Sequence, residues 1–180
     1  MKETLILKAA QFAALKHKSQ SRKGSDKLPY IIHPISVALI IAEVGGVDEP
    51  EILAAALLHD TIEDTDTTPE ELTSVFGKRV CRLVKEVSDD KSLEKAERKR
   101  LQIEHAARLS PEAVIIKLGD KISNVMDVTN SPPTGWSLER RKEYLDWSEK
   151  VINNCPYANK ALKKHFAEVL EMGRRALRMN

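Results

Sequence analysis

Apolar positions along the chain recur at the spacing of a helix. Val80, Leu83, Val84 and Val87 fall at i, i+3, i+4 and i+7, and Ile52, Ala55, Ala56 and His59 repeat that pattern. At 3.6 residues per turn such positions share one face. Leu5, Ala9, Phe12 and Ala13 do the same over a helix predicted near 3–18, and Ala158, Leu162, Phe166 and Val169 over another near 158–177. Convincing period-2 alternation, the mark of a half-buried strand, is absent. Helix starts are marked by capping residues. Thr68-Pro69-Glu70-Glu71 combines an N-cap, a proline at the first helical position and a capping-box Glu. Ser110-Pro111-Glu112 repeats the first two elements, and Asp48 with Glu51 makes a similar pair. The fold expected is all-α, a compact single domain of about eight to ten helices, with irregular stretches near 20–32, 61–68, 88–92 and 129–136.

Composition narrows the possibilities. With 180 residues, of which 42% are apolar and 31% charged, a single globular domain over 1–180 is expected. Aromatics are only 4%, so Leu, Ile, Val and Ala must fill the core. The longest apolar run, 52–58, falls far short of a membrane span, and Met1-Lys2-Glu3-Thr4 carries no signal core. Cys81 and Cys155 make no disulfide framework, and a cytoplasmic setting is expected. The net charge of +2 argues against coating nucleic acid. That small value hides local clusters. Lys16, Lys18, Arg22, Lys23 and Lys27 are opposed only by Asp26, and Lys91, Lys95, Arg98, Lys99 and Arg100 form a second set. Such clusters suit a small anionic substrate, since Arg forks onto phosphate or stacks on a base and Lys supplies a point charge. Taken singly, each reads as an ordinary solvated surface charge.

The sharpest local signal is Leu57-Leu58-His59-Asp60-Thr61-Ile62-Glu63-Asp64-Thr65-Asp66. His59 continues an apolar stripe, so its ring should point inward. An unpaired buried polar group costs about 1–3 kcal/mol, and a divalent metal or a backbone carbonyl would each supply the partner. Glu63 lies four residues on, on the same face if the helix continues. In Tyr30-Ile31-Ile32-His33-Pro34, Pro34 suits a first helical position and places His33 just ahead of it. Over 114–125, Ile115, Leu118, Ile122 and Val125 make an apolar face, while Lys117, Asp120 and Asn124 make a second stripe at i, i+3 and i+7. A polar stripe on a central helix suggests a lined cavity; a solvated face with a Lys117–Asp120 pair is the alternative. Two imidazoles and two carboxylates suit Mn²⁺, Fe²⁺ or Zn²⁺ better than Ca²⁺ or Mg²⁺. Such a metal lowers the pKa of bound water towards neutrality, and Glu63 and Asp64 lie where they could orient that water or move its proton.

His33-Pro34, His59-Asp60, Glu63-Asp64 and Asp120, in this order, resemble the HD-domain phosphohydrolases. Arg22-Lys23 leading to Pro29-Tyr30 and His33-Pro34, the run Ala54-Ala55-Ala56-Leu57-Leu58-His59-Asp60-Thr61-Ile62-Glu63-Asp64-Thr65, and Lys117-Leu118-Gly119-Asp120-Lys121 are similar to the hydrolase domain of RelA/SpoT proteins. Phe76-Gly77, Val87-Ser88-Asp89-Asp90-Lys91 and Glu97-Arg98-Lys99-Arg100-Leu101-Gln102 extend the likeness. The length and Glu143-Tyr144-Leu145-Asp146-Trp147 are most similar to the stand-alone metazoan and small bacterial members, over 5–170. The resemblance implies an all-α hydrolase, generally Mn²⁺-dependent, that removes the 3′-pyrophosphate of ppGpp or pppGpp and leaves GDP or GTP. It implies His33, His59, Asp60 and Asp120 as metal ligands and Glu63 and Asp64 as the acids serving the attacking water. Arg22 and Tyr144 would pack around the base, Asn124 would line the same pocket, and Lys23 and Lys95 would face phosphates. His17 is taken as structural. NADPH 2′-phosphatase activity is the alternative at the same site. A non-catalytic nucleotide sensor, a third reading, would be expected to lose Glu63 or Asp64. Gly119, Ser123 and Met126 stand where Ala, Tyr and Arg are common in the family; they bear on base specificity and pocket detail, and none removes a ligand or an acid. A hydrolase without a synthetase or regulatory region is expected.

Overall fold

The computed structural model of the protein describes residues 2–24 and 27–179; Asp26, the acid opposing the first basic cluster, lies outside the described residues. Helices α1 (Lys2–Lys16), α2 (Ile32–Glu43), α3 (Pro50–Leu58), α4 (Thr61–Asp64) and α5 (Pro69–Phe76) form the first half. Helices α6 (Lys78–Val87), α7 (Lys95–Ala106), α8 (Pro111–Asn130), α9 (Leu138–Asn154) and α10 (Lys160–Met179) form the second. The fold is all-α, and the only β-type pairing among the described residues is an isolated antiparallel bridge between Ser21 and Pro29. None of the described helices is long and apolar enough to cross a membrane.

Two of the capping signals act as expected. Thr68 Oγ1 accepts from the Glu71 N–H at 3.2 Å and Ser110 Oγ from the Ala113 N–H at 3.3 Å, satisfying donors that a helix start leaves free. The Glu71 carboxylate goes elsewhere, taking Lys16 Nζ at 3.0 Å. Asp48 is not a cap. Helix α3 starts from Glu49 with Pro50 in its first turn, and Glu51 instead accepts from Arg79 Nη1 at 2.6 Å. Other boundaries also differ: α1 ends at Lys16, α8 runs on to Asn130, 61–68 contains the short helix α4, and α10 starts at Lys160, which leaves Ala158 ahead of it. His33 lies inside the first turn of α2 rather than ahead of it. Its N–H reaches the Tyr30 carbonyl at 3.0 Å, and Pro34 sits where a missing N–H costs nothing.

Two apolar clusters meet at α8. One joins residues of α1, α2, α3, α5 and α6 with Ala113 and Ile116; the other joins Leu118, Ile122, Val125 and Val128 with α9 and α10. The predicted stripes lie inside: Val80, Leu83, Val84 and Val87 are buried, as are Ile52, Ala55 and Ala56. Small side chains let the helices approach closely. A Cβ on Gly119 would stand 2.8 Å from Ile41 Cγ1 and 3.1 Å from Val37 Cγ1. Gly119 therefore answers to the α2–α8 crossing and not to the pocket. With α8 central, its polar stripe is held between the ends of α2, α3 and α6, where the chemistry-bearing residues gather.

Candidate active site

Helix α3 ends at the buried Leu58; His59 follows with φ −57°, and Asp60 with φ −97° and ψ −1° leads into α4. The helix is thus broken between His59 and Glu63, and the acids come from a separate turn. His33 Nε2 lies 3.2 Å from Asp120 Oδ1 and 3.7 Å from Asp60 Oδ2; His59 Nε2 lies 3.0 Å from Asp60 Oδ2 and 3.7 Å from Asp120 Oδ1. Two imidazole nitrogens and two carboxylate oxygens therefore converge. The two rings are held from behind, and both carboxylates have partners of their own. His59 Nδ1 meets the Ala56 carbonyl at 2.7 Å, which only accepts, so Nδ1 carries a proton. His33 Nδ1 meets Ser123 Oγ at 3.0 Å. Tyr30 Oη donates to Asp60 Oδ2 at 2.6 Å and Asn124 Nδ2 to Asp120 Oδ1 at 2.5 Å, while Lys121 Nζ lies 3.2 Å from Asp120 Oδ2.

The electrostatics favour positive charge at this point. Burial opposes the ionised carboxylates, yet the His59 ring beside Asp60, and Lys121 with both imidazoles beside Asp120, hold the two well below the usual carboxylate range. Burial likewise opposes a charged His59, but Asp60 and Asp120 push its pKa up to about 10. Burial dominates at His33 and pushes it down. His59 Nε2 is buried and meets no partner in hydrogen-bonding geometry. His33, His59 and Asp60 offer ligand atoms within 4.8 Å of one another and could hold a metal ion. That orphaned nitrogen and the mixed N/O donor set fit a divalent transition metal.

The acids stand beside this cluster. Glu63 Oε2 accepts the Asp89 N–H at 3.0 Å, and burial is the main cause raising its pKa above the ordinary carboxylate value. Lys91 Nζ lies 2.5 Å from Asp64 Oδ1 and 3.4 Å from Glu63 Oε1. Tyr30 Oη, 3.4 Å from Asp64 Oδ2, touches both Asp60 and Asp64. Burial and then Asp60 keep that hydroxyl protonated. Behind Tyr30, the His17 ring stacks at 4.7 Å and bonds Gln20, whose amide donates to the Asp64 carbonyl at 2.6 Å.

A cavity of about 780 Å³ opens from the acids, and Arg22, Lys23, Lys95, Asn124 and Tyr144 all line it with His33, Glu63 and Asp64. Arg22 is clamped: Nε and Nη2 reach Asp127, and Nη2 donates to Asn124 Oδ1 at 2.9 Å. Asn124 thereby joins Arg22 to Asp120. At the other end the rings of Trp136, Tyr144 and Trp147 follow one another at 5.8 and 5.4 Å. Arg140 lies 4.3 Å from the Trp136 ring and Lys99 4.8 Å from Trp147. Burial and then the neighbouring cations Arg140 and Lys23 push Lys95 down, as burial and Lys95 do for Lys99. Cations crowded in this way favour an anion.

Not every basic residue turns to the cavity. Lys16 pairs with Asp66 and Glu71, and Arg100 with Glu97 and Glu104. Lys117 reaches the Val87 carbonyl at 2.9 Å rather than Asp120. Met126 is half exposed, whereas Ser123 supports a histidine. Several lining residues escaped the sequence reading. Asp127 extends the stripe of Lys117, Asp120 and Asn124 by three residues, and Arg140 and Trp147 stand four before and three after the predicted Tyr144, with Trp136 four residues ahead of Arg140. Both signals were there to be read.

The HD-domain family pattern matches residues 9–145. The chain belongs to the HD-domain family. Among individual proteins, the guanosine-3′,5′-bis(diphosphate) 3′-pyrophosphohydrolase MESH1 of Danio rerio is 46% identical over 170 residues, covering 94% of each chain. The Homo sapiens protein of the same name is 48% identical over 159 residues, covering 88% of this chain and 89% of its own. A solved structure of a metazoan orthologue of SpoT, described as hydrolysing ppGpp, matches with a TM-score of 0.91 at 44% identity over 96% of each chain.

Proposed function

We propose that this HD-domain protein is a cytoplasmic, Mn²⁺-dependent (p)ppGpp 3′-pyrophosphohydrolase, one hydrolase domain over residues 1–180. One observation carries the reading: His33, which belongs to the His33, His59, Asp60 and Asp120 cluster, lines a single cavity together with the Glu63–Asp64 pair and a crowd of cations. Near-full-length likeness to proteins named for that activity supports it. His33, His59, Asp60 and Asp120 would hold the metal, which when bound polarises a phosphoryl oxygen and acidifies water. Glu63 takes a proton from the attacking water, a role suited to a carboxylate of raised pKa. Asp64, held by Lys91 and Tyr30, orients the water, and the proton that Glu63 has taken passes to the leaving 3′-oxygen. Lys23 and Lys95 meet phosphate oxygens. The clamped Arg22 and Tyr144 enclose the base, and Asn124 ties that wall to Asp120. The oxygen–phosphorus bond at the 3′ position breaks, and GDP or GTP leaves with pyrophosphate. Both acids are in place, which counts against a sensor that binds without turnover.

Purified protein with Mn²⁺ and ppGpp is expected to release GDP and pyrophosphate, and Asp60→Ala and Glu63→Ala to abolish the release. No GDP, or variants as fast as the wild type, would sink the reading. A higher kcat/KM for NADPH, with phosphate released, would move the assignment to the 2′-phosphatase reaction.

A further inference from the structure

Lys117 opens the polar stripe of α8, yet the cavity does not use it. It is 7% exposed, and the hydrogen bond of its ammonium goes to the Val87 carbonyl at 2.9 Å. Val87 is the last residue of α6, and the final carbonyls of a helix lack intrahelical donors. A cation there also suits the negative end of the helix dipole. Burial and then Lys121 push the ammonium down, whereas Asp120, Asp89 and Glu63 favour its charge. Retaining a buried lysine is costly, and its stem alone would have filled the space.

The chain just past Val87 leads to the acids. The Ser88 N–H turns back to the Val84 and Lys85 carbonyls at 3.1 and 3.3 Å. Ser88, with ψ 140°, then carries the chain out extended. The next amide, the Asp89 N–H, donates to Glu63 Oε2 at 3.0 Å. Only the Ser88 Cα separates the peptide held by Lys117 from the peptide that holds Glu63. The Asp89 carboxylate is itself held by Gln102 Nε2. The other groups near Glu63 are looser: Lys91, half exposed, at 3.4 Å and Arg98 at 3.9 Å.

We infer that Lys117 is a positioning residue for Glu63: by fixing the Val87 carbonyl it fixes the Asp89 amide, which aims the Glu63 carboxylate. The inference rests on the reading of Glu63 as the base. Lys117→Met keeps the stem and removes the ammonium; Lys117→Gln keeps an N–H donor. Each is compared with the wild type by amide hydrogen exchange of the 87–91 segment without substrate, by Mn²⁺ affinity, and by kcat and KM. Lys117→Met is expected to speed exchange at Asp89 about tenfold while the interior of α6 stays protected. Its kcat should fall about 10- to 100-fold with KM and Mn²⁺ affinity unchanged. In a Glu63→Gln background the same change should lower kcat less than about twofold, because the two act as one unit. Lys117→Gln should restore the exchange pattern and most of kcat. Unchanged exchange at Asp89, an equal kcat loss in both backgrounds, protection lost throughout α6, or a folded Lys117→Gln as impaired as Lys117→Met would each overturn the inference. The exchange arm needs no turnover, so a wild type inactive on ppGpp would refute the assigned activity and still let that arm decide the linkage.

Discussion

The two ends of the cavity are built on opposite principles. At the metal end, the His33 and His59 rings are held from behind by Ser123 and the Ala56 carbonyl, and the Asp60 and Asp120 carboxylates are held by Tyr30 and by Asn124 with Lys121. The holders sit on helices or next to them, so the donor geometry is set before any ligand arrives. At the aromatic end, Lys95 has Arg140 and Lys23 for neighbours and Lys99 has Lys95 and Arg140 with the acid Glu143, and both ammonium groups lie over aromatic rings. Elsewhere the protein pairs its arginines freely, as at Arg79 with Glu49 and Glu51 and at Arg174 with Asp146 and Glu149. The contrast separates two tasks. One end fixes the reacting geometry; the other keeps charge unneutralised for the substrate's phosphates.

Substitutions at the two ends should therefore split kcat from KM. The largest effect is expected at the acid. Glu63→Gln should lower kcat by about 100- to 10,000-fold with little change in KM, the range for losing a general base. In the wild type, kcat should fall as pH drops through the raised Glu63 pKa, because the base works only when deprotonated. A pH series on both proteins checks this, and an acid limb that survives in Glu63→Gln would assign it elsewhere. Next comes Ser123→Ala, which frees His33 Nδ1 and should weaken metal affinity about 10- to 100-fold. Competition with a chelator reads that value, and kcat at saturating metal should recover. The smallest effect is expected at the aromatic end. Arg140→Ala or Lys95→Ala should each raise KM about tenfold, a loss of uniform binding. Neither should move kcat or thermal stability, and both should flatten the dependence of KM on salt. A kcat loss from Arg140→Ala, or a KM change from Ser123→Ala at saturating metal, would blur the division.

The sequence made some of this legible and hid the rest for a physical reason. Periodicity tells which face of a helix is apolar, so the stripe of Val80, Leu83, Val84 and Val87 and the caps at Thr68 and Ser110 were readable. It does not tell what lies opposite. Lys16 and Arg100 look like Lys23 and Lys95 in sequence, but acids brought across the fold or along the helix claim them. Gly119 looks like a pocket change until Ile41 and Val37 are seen packed against it. Asp48 and Glu49 differ only in which of them the helix starts after. Lys117 and Asp120 share a stripe, yet one turns to the end of α6 and the other to the histidines.

In the proposed reaction water is added to phosphorus at the metal end and the 3′-oxygen leaves with the nucleotide. Turnover of ppGpp in ¹⁸O-labelled water, with Mn²⁺ present, tests it most directly through mass analysis of both products. One labelled oxygen is expected in the pyrophosphate and none in the GDP. Label in the GDP, or release of inorganic phosphate in place of pyrophosphate, would contradict it.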